Sequence, residues 1–229
     1  SDLNVVNLFG GLPMVEIMNH MGFDAMALGN HEFNYGQEQL LSLAKAAKFP
    51  FLSANVVRDD GAVFIGDYNI FDVGGVKVGV FGLSPTDTPI LTHPKDVVGL
   101  QFLCPGVVAA RMVEVLEGQV DIIVCLSHLG YEDDKVIAAE VPGIDVIVGG
   151  HSHTTLAKPE VVGGAIIVQT GDWAENAGVL NLVVAGGKVV SFDGGLVQMK
   201  ADMPGPAADH PVGTTLAKYN AALAEKMAV

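Results

Sequence analysis

The segment Ile144-Asp145-Val146-Ile147-Val148-Gly149-Gly150-His151-Ser152-His153 decides how the chain is read: an aliphatic run, two glycines, then two histidines one residue apart. Working outward, two more apolar runs end in clusters of metal-binding side chains. Residues 24–28 lead into Gly29-Asn30-His31-Glu32, and residues 120–126 lead into Ser127-His128. The runs are five to seven residues long, and the later two are rich in branched aliphatics, which predicts buried strands. If the three strands lie parallel in one sheet, all three clusters leave its carboxyl edge, where open α/β sheets bind their ligands. Four of the seven histidines then converge. Imidazole and carboxamide donors suit zinc, manganese, iron, cobalt or nickel, and His151 and His153 can address different ions. One His-x-His pair says little; three clusters at successive strand ends predict a dinuclear metal site.

Bulk properties argue against a polyanionic partner. The chain has 229 residues, half of them hydrophobic, enough for one large domain or two small ones with a true core. Its 12 basic and 26 acidic residues give a net charge of −14, which repels phosphate backbones and argues against nucleic acid as a partner. An anionic substrate needs local positive charge, which metal ions supply at one point. No apolar stretch approaches the roughly 20 residues of a membrane span, and residues 1–7 lack the basic and apolar regions of a signal peptide. Cys104 and Cys125 are too few for a disulfide framework, and Cys125, inside a strand-like run, reads as a packed thiol.

Periodicity predicts helices over 13–21, 37–48, 107–116 and 132–140, and strands over 51–57, 68–73 and 76–82, the last two joined through Gly74-Gly75 in a tight hairpin. From Glu160 onward the pattern becomes mostly antiparallel β. Residues 201–212, with Pro204, Pro206 and Pro211, read as a linker, and 215–227 as an alanine-rich helix. The acidic run Glu132-Asp133-Asp134 reads as the charged first turn of a helix. Asn34 can cap the helix that begins near Gln37. Asn55 reads as a turn residue or a site neighbour, and Asp172, Trp173 and Glu175 as loop polarity more than as function. His20, His93 and His210 have no partner cluster and read as surface or capping groups.

Gly29-Asn30-His31-Glu32, Ser127-His128-Leu129-Gly130 and Gly150-His151-Ser152-His153 resemble the later motifs of the calcineurin-like metallophosphoesterases. Phe49-Pro50-Phe51-Leu52-Ser53-Ala54-Asn55 and Thr86-Asp87-Thr88-Pro89-Ile90-Leu91 are similar to the bacterial 5'-nucleotidase branch, which also holds sugar-nucleotide hydrolases and 2',3'-cyclic-nucleotide phosphodiesterases. The resemblance implies an α/β fold, a four-layer α-β-β-α metallophosphoesterase sandwich. It implies two divalent ions (Zn, Mn, Co or Fe), with Asn30, His128 and His151 on one and His153 on the other. By the same resemblance His31 is the catalytic residue facing the substrate phosphate, and the two ions generate the nucleophile and neutralise charge.

The family's earlier Asp-x-His and Gly-Asp motifs do not occur in these residues, so a catalytic-domain fragment missing its first strand or strands is expected. Residues 1–205 would form that domain, and 206–229 a linker and helix leading to an absent C-terminal nucleotide-binding domain. The substrate implied is a nucleotide or related phosphate ester, and the location is periplasm, cell wall or medium. Many relatives carry aspartate where this chain has Asn34, which keeps cyclic-nucleotide phosphodiesterase activity open. A thiosulfohydrolase is a related alternative, and a non-catalytic scaffold on the same fold is an alternative of another kind.

Overall fold

Where the chain alternates apolar runs with glycine and proline, the computed structural model places short strands between helices, and it describes residues 4–200 and 202–227. Ala201, at the start of the expected linker, lies outside the described residues. The chain opens with α1 (Asn4–Leu8) and α2 (Leu12–Met21), and Gly22 ends α2 in the left-handed region at φ 75°. β1 (Met26–Ala27), a 3-10 turn over Asn30–Phe33, α3 (Gln37–Ala46) and β2 (Phe51–Leu52) follow, with β1 and β2 parallel. β3 (Val56–Arg58) precedes the hairpin of β4 (Tyr68–Val73) and β5 (Val76–Leu83), whose turn glycines take φ of 64° and 91°. Then come α4 (Thr88–Leu91), β6 (Leu100–Phe102), α5 (Pro105–Leu116), β7 (Ile122–Ser127), α6 (Tyr131–Glu140) and β8 (Val146–Val148). β9 (Glu160–Val162), β10 (Ala165–Val168), β11 (Asn176–Ala185), β12 (Lys188–Gln198) and α7 (Pro211–Met227) complete the order.

The main sheet has six strands in the order β4-β5-β7-β8-β10-β9. Its four central strands are parallel, and β4 and β9 are antiparallel edges. Residues 165–168 therefore depart from the antiparallel reading of the second half: β10 lies beside β8, because the crossover from 148 to 165 returns the chain in the same direction. The interior positions of β5, β7, β8 and β10 pack Phe81, Leu83, Cys125, Ile147 and Ile167 against Val108, Met112 and Leu116 of α5 and Ile137 of α6. A second core joins Val15 of α2 and Leu40 of α3 to Leu28, Phe51 and Val56 of the small sheets. Helices, small sheets, main sheet and helices thus stack as an α-β-β-α arrangement, each apolar face covered by the next layer.

Two strand expectations need correction. β1 is not hydrogen-bonded into the main sheet; it pairs with β2 and crosses β5 at close range. Residues 51–57 are not one strand, because Ser53-Ala54-Asn55 turns its polar groups to the junction between the sheets. Ser53 Oγ lies 2.7 Å from Ser84 Oγ, and the Asn55 amide takes the Ser84 N–H at 2.8 Å and donates to the Ser84 carbonyl at 2.8 Å. Asn55 is fully buried there and ties the sheets together. Gly82 makes the crossing possible, since a Cβ would fall 2.2 Å from the Leu52 carbonyl oxygen.

α7 turns back onto α2 and α1. Tyr219, 5% exposed, sets its ring edge-on to Phe9 at 5.0 Å, and Lys218 reaches Glu16 at 3.1 Å. His93 and His210 accept backbone N–H groups from Lys95 and Val212, the capping role that their isolation suggests. Among the described residues no helix is long and apolar enough to cross a membrane.

Candidate metal centre

Asn30 begins the 3-10 turn after β1, which the Glu32 carboxylate fixes by accepting the Gly29 N–H at 2.7 Å. Asn30 is 5% exposed, and among the described residues its Oδ1 has no hydrogen-bond partner. A buried amide oxygen without a donor is costly unless something else satisfies it. Next to it His31 stands in solvent, its Nδ1 3.0 Å from Asn34 Nδ2. The Thr92 hydroxyl lies 3.3 Å from Asn34 Oδ1, at the other end of the amide. With the amide nitrogen as donor, His31 Nδ1 accepts in the tautomer that carries its proton on Nε2. Asn34 is thus the partner of His31; Gly36 holds the helix-capping position.

His128 leaves the end of β7, its N–H bound to the Leu83 carbonyl at 2.9 Å. Glycines stand on both sides of its ring: a Cβ on Gly29 would lie 2.6 Å from Nε2, and one on Gly150 would lie 3.2 Å from Nδ1. Burial, and then the nearby His151, His31 and His153, push His128 down to about 4. It is neutral at physiological pH, the state in which imidazole binds metal. The His151 ring lies 5.1 Å away, tilted by 54°.

The loop after β8 is strained. His151 and His153 have φ of 70° and 56°, a region that costs side-chain-bearing residues about 1–2 kcal/mol each. His153 is exposed, its Nδ1 3.3 Å from Asp172 Oδ2, in a loop where Trp173 and Ala174 are also left-handed. A carboxylate on one ring nitrogen orients the ring and leaves the other nitrogen to coordinate.

The expected residues therefore meet around His128: Asn30 through the adjoining Gly29, His151 by ring contact, and His31 and His153 within electrostatic reach. The orphaned Asn30 oxygen, the neutral His128 and the glycine cradle fit a divalent ion. Yet among the described residues no three of His, Cys, Asp or Glu lie together closely enough to hold an ion.

Three residues carry more than their sequence reading. Asp134 is no solvated first-turn carboxylate; it is fully buried, accepts the Ser127 hydroxyl, and burial pushes it up to about 6. A signal lay in helical spacing, since 134 falls between Ile137 and Ala138 on one face, whereas 132 falls on the opposite one. Gln169 ends an apolar run just as the metal clusters do, and Asp172 three residues later reaches His153.

Residues 7–155 match the family described as calcineurin-like phosphoesterase. A rat 5'-nucleotidase is 41% identical over 158 residues, 65% of this chain and 27% of the rat protein. A snake venom 5'-nucleotidase of Crotalus adamanteus is 40% identical over 165 residues, 66% of this chain and 26% of its own length. The chain spans about a quarter of these relatives. Among solved structures, a 5'-nucleotidase precursor from Thermus thermophilus superposes with a TM-score of 0.88 at 31% identity, over 97% of this chain and 48% of the other. A sulfate thiohydrolase of the same organism, in complex with glycerol, superposes with a TM-score of 0.90 at 25% identity, over 97% of this chain and 41% of the other.

Proposed function

The chain belongs to the calcineurin-like phosphoesterase family, and on that premise we propose that it supplies the catalytic site of a metal-dependent phosphoric-ester hydrolase acting on nucleotides, of the 5'-nucleotidase type. The observation that carries the reading is the buried, partnerless Asn30 Oδ1 beside the neutral His128 and the His151 ring. These three residues would hold one divalent ion, and His153, oriented by Asp172, would face a second. Bound divalent ions polarise phosphoryl oxygens and lower the pKa of water. His31 acts from the chain's own side: with Nδ1 accepting from Asn34, its Nε2–H is free to donate to a phosphoryl or leaving-group oxygen. With a net charge of −14 the surface repels an anionic ester, so productive binding depends on this centre. We place the activity outside the cytoplasm, in periplasm, cell wall or medium.

The test is phosphate release from AMP by the full-length protein after EDTA treatment. Activity should return with manganese, cobalt or zinc and be lost in His128→Ala and His151→Ala; no metal-dependent recovery would sink the proposal. The overlay with the sulfate thiohydrolase favours a second reading, hydrolysis of a thiosulfate adduct, for which a protein-bound thiosulfate would be turned over in preference to AMP. Asn34 beside His31 keeps cyclic 2',3'-diesters as a further substrate class within the same assay.

A further inference from the structure

Besides Asn30 Oδ1, two buried polar atoms lack partners among the described residues: Asp134 Oδ2 and Gln169 Nε2. One accepts and the other can only donate, and both face Gly149. A Cβ there would lie 2.4 Å from Asp134 Oδ2 and 2.8 Å from Gln169 Nε2. Both side chains are buried, at 0% and 2% exposure. A donor and an acceptor enclosed around one point, with only a glycine between them, are complementary.

The orientation of the Gln169 amide is fixed by its other end. The Thr154 N–H can only donate and lies 2.6 Å from Gln169 Oε1, so the oxygen must face it. Ser152 Oγ donates to the same oxygen at 3.0 Å while accepting the Tyr131 N–H at 3.0 Å. Both lone pairs of Oε1 are then used, which turns Nε2 to the Gly149 side, where the unpartnered Asp134 Oδ2 also lies without bonding to it. The other Asp134 oxygen takes the hydroxyl of Ser127, the residue before His128. One amide therefore spans from the base of His128 to the two residues that flank His153, across a loop whose histidines both hold left-handed backbone.

We infer that Gln169 is a positioning residue for His151 and His153. Its Oε1 clamps Ser152 and Thr154, and its Nε2 shares the space beside Gly149 with Asp134 Oδ2. Gln169 touches no substrate; it sets the direction from which the loop imidazoles are presented. The inference rests on the metal-centre reading above and goes one shell outward, where partners that orient ligands carry much of a site's affinity.

The experiment is a Mn2+ titration of EDTA-stripped full-length protein by calorimetry, with thermal unfolding of each variant recorded separately. Gln169→Glu keeps the clamp but sets a carboxylate against Asp134, and should weaken Mn2+ binding by about tenfold or more. Asp134→Asn, with its Oδ1 kept on the donating Ser127 hydroxyl, sets two amide donors toward the same space and should also weaken it. The double variant Asp134→Asn/Gln169→Glu restores a donor and an acceptor in exchanged order, and should recover to within about threefold of wild type. Ser152→Ala, at an exposed position that tolerates truncation, should cost about threefold with the fold intact. Affinity unchanged in Gln169→Glu and Ser152→Ala would overturn the inference, as would a double variant no better than the product of the single losses. A purely structural role would lower the unfolding temperature and leave the Kd of the folded protein where it was, and that result also overturns it. If wild type binds no Mn2+, the metal-centre reading fails first, before any variant is compared, and this inference falls with it.

Discussion

His128 and Asp134 oppose each other in their effect on stability with pH. His128 is held down to about 4 from an ordinary 6.5, so its contribution is present above 6.5 and is lost as pH falls toward 4. Asp134 is pushed up to about 6 from 3.8, so it favours the folded state below 3.8 and loses that contribution as pH rises through 6. Each amounts to as much as about 3 kcal/mol, from about 1.4 kcal/mol per pH unit, and between pH 4 and 6 the two nearly cancel. Urea unfolding of the metal-free protein should therefore show stability rising with pH over that window in Asp134→Asn and falling in His128→Asn. Parallel curves for the two variants would contradict the assignment. A second residue-scale expectation concerns Gly29. An alanine Cβ there meets His128 Nε2 at 2.6 Å, and Gly150 on the other side of the ring limits its escape. Gly29→Ala should cost about tenfold or more in Mn2+ affinity, with little change in the circular dichroism spectrum. Of the site residues, Asn30, His31, His128, His151 and His153 were legible because each follows an apolar run. Asp134 and Gln169 carried only a weak mark, a helix-face position and the end of an apolar run, and with Asp172 they look like surface polarity until their neighbours are placed.

At the scale of elements, the junction between β2 and β5 is the point of least tolerance. Gly82 passes so near the Leu52 carbonyl that a Cβ would sit 2.2 Å from that oxygen, and backbone cannot withdraw as a side chain can. Gly82→Ala should destabilise by about 3 kcal/mol or more, measured as a lowered urea midpoint with an unchanged slope. Most helices and the β4–β5 hairpin could be read from spacing because their signals are local. The break at Ser53-Ala54-Asn55 could not, because those polar groups answer Gly66, Gly82 and Ser84, all outside any local window. The direction of β10 is likewise set by its neighbour: an apolar run of four residues carries no mark of parallel or antiparallel pairing.

For the molecule as a whole, the last described helix and the first helices hold one another. Tyr219 supplies the burial, packing on Phe9, whereas the Lys218–Glu16 pair is exposed. Tyr219→Ala should lower stability by about 3 kcal/mol and raise amide exchange along α7, while Lys218→Ala should change stability by less than about 0.5 kcal/mol. Equal effects would mean that the ion pair, not the apolar contact, docks the helix. The sequence by itself determined the strand–cluster grammar: aliphatic runs must be buried, and polar residues that end them emerge at a sheet's carboxyl edge. Those rules act over a few residues, so they placed the histidines in one region and favoured metal chemistry. Only the tertiary structure decided which atoms are left without partners, which glycines admit the His128 ring, and which buried amide clamps the loop. Hydrogen-bond satisfaction and steric exclusion depend on groups brought together from distant parts of the chain, and they have no expression along the sequence alone.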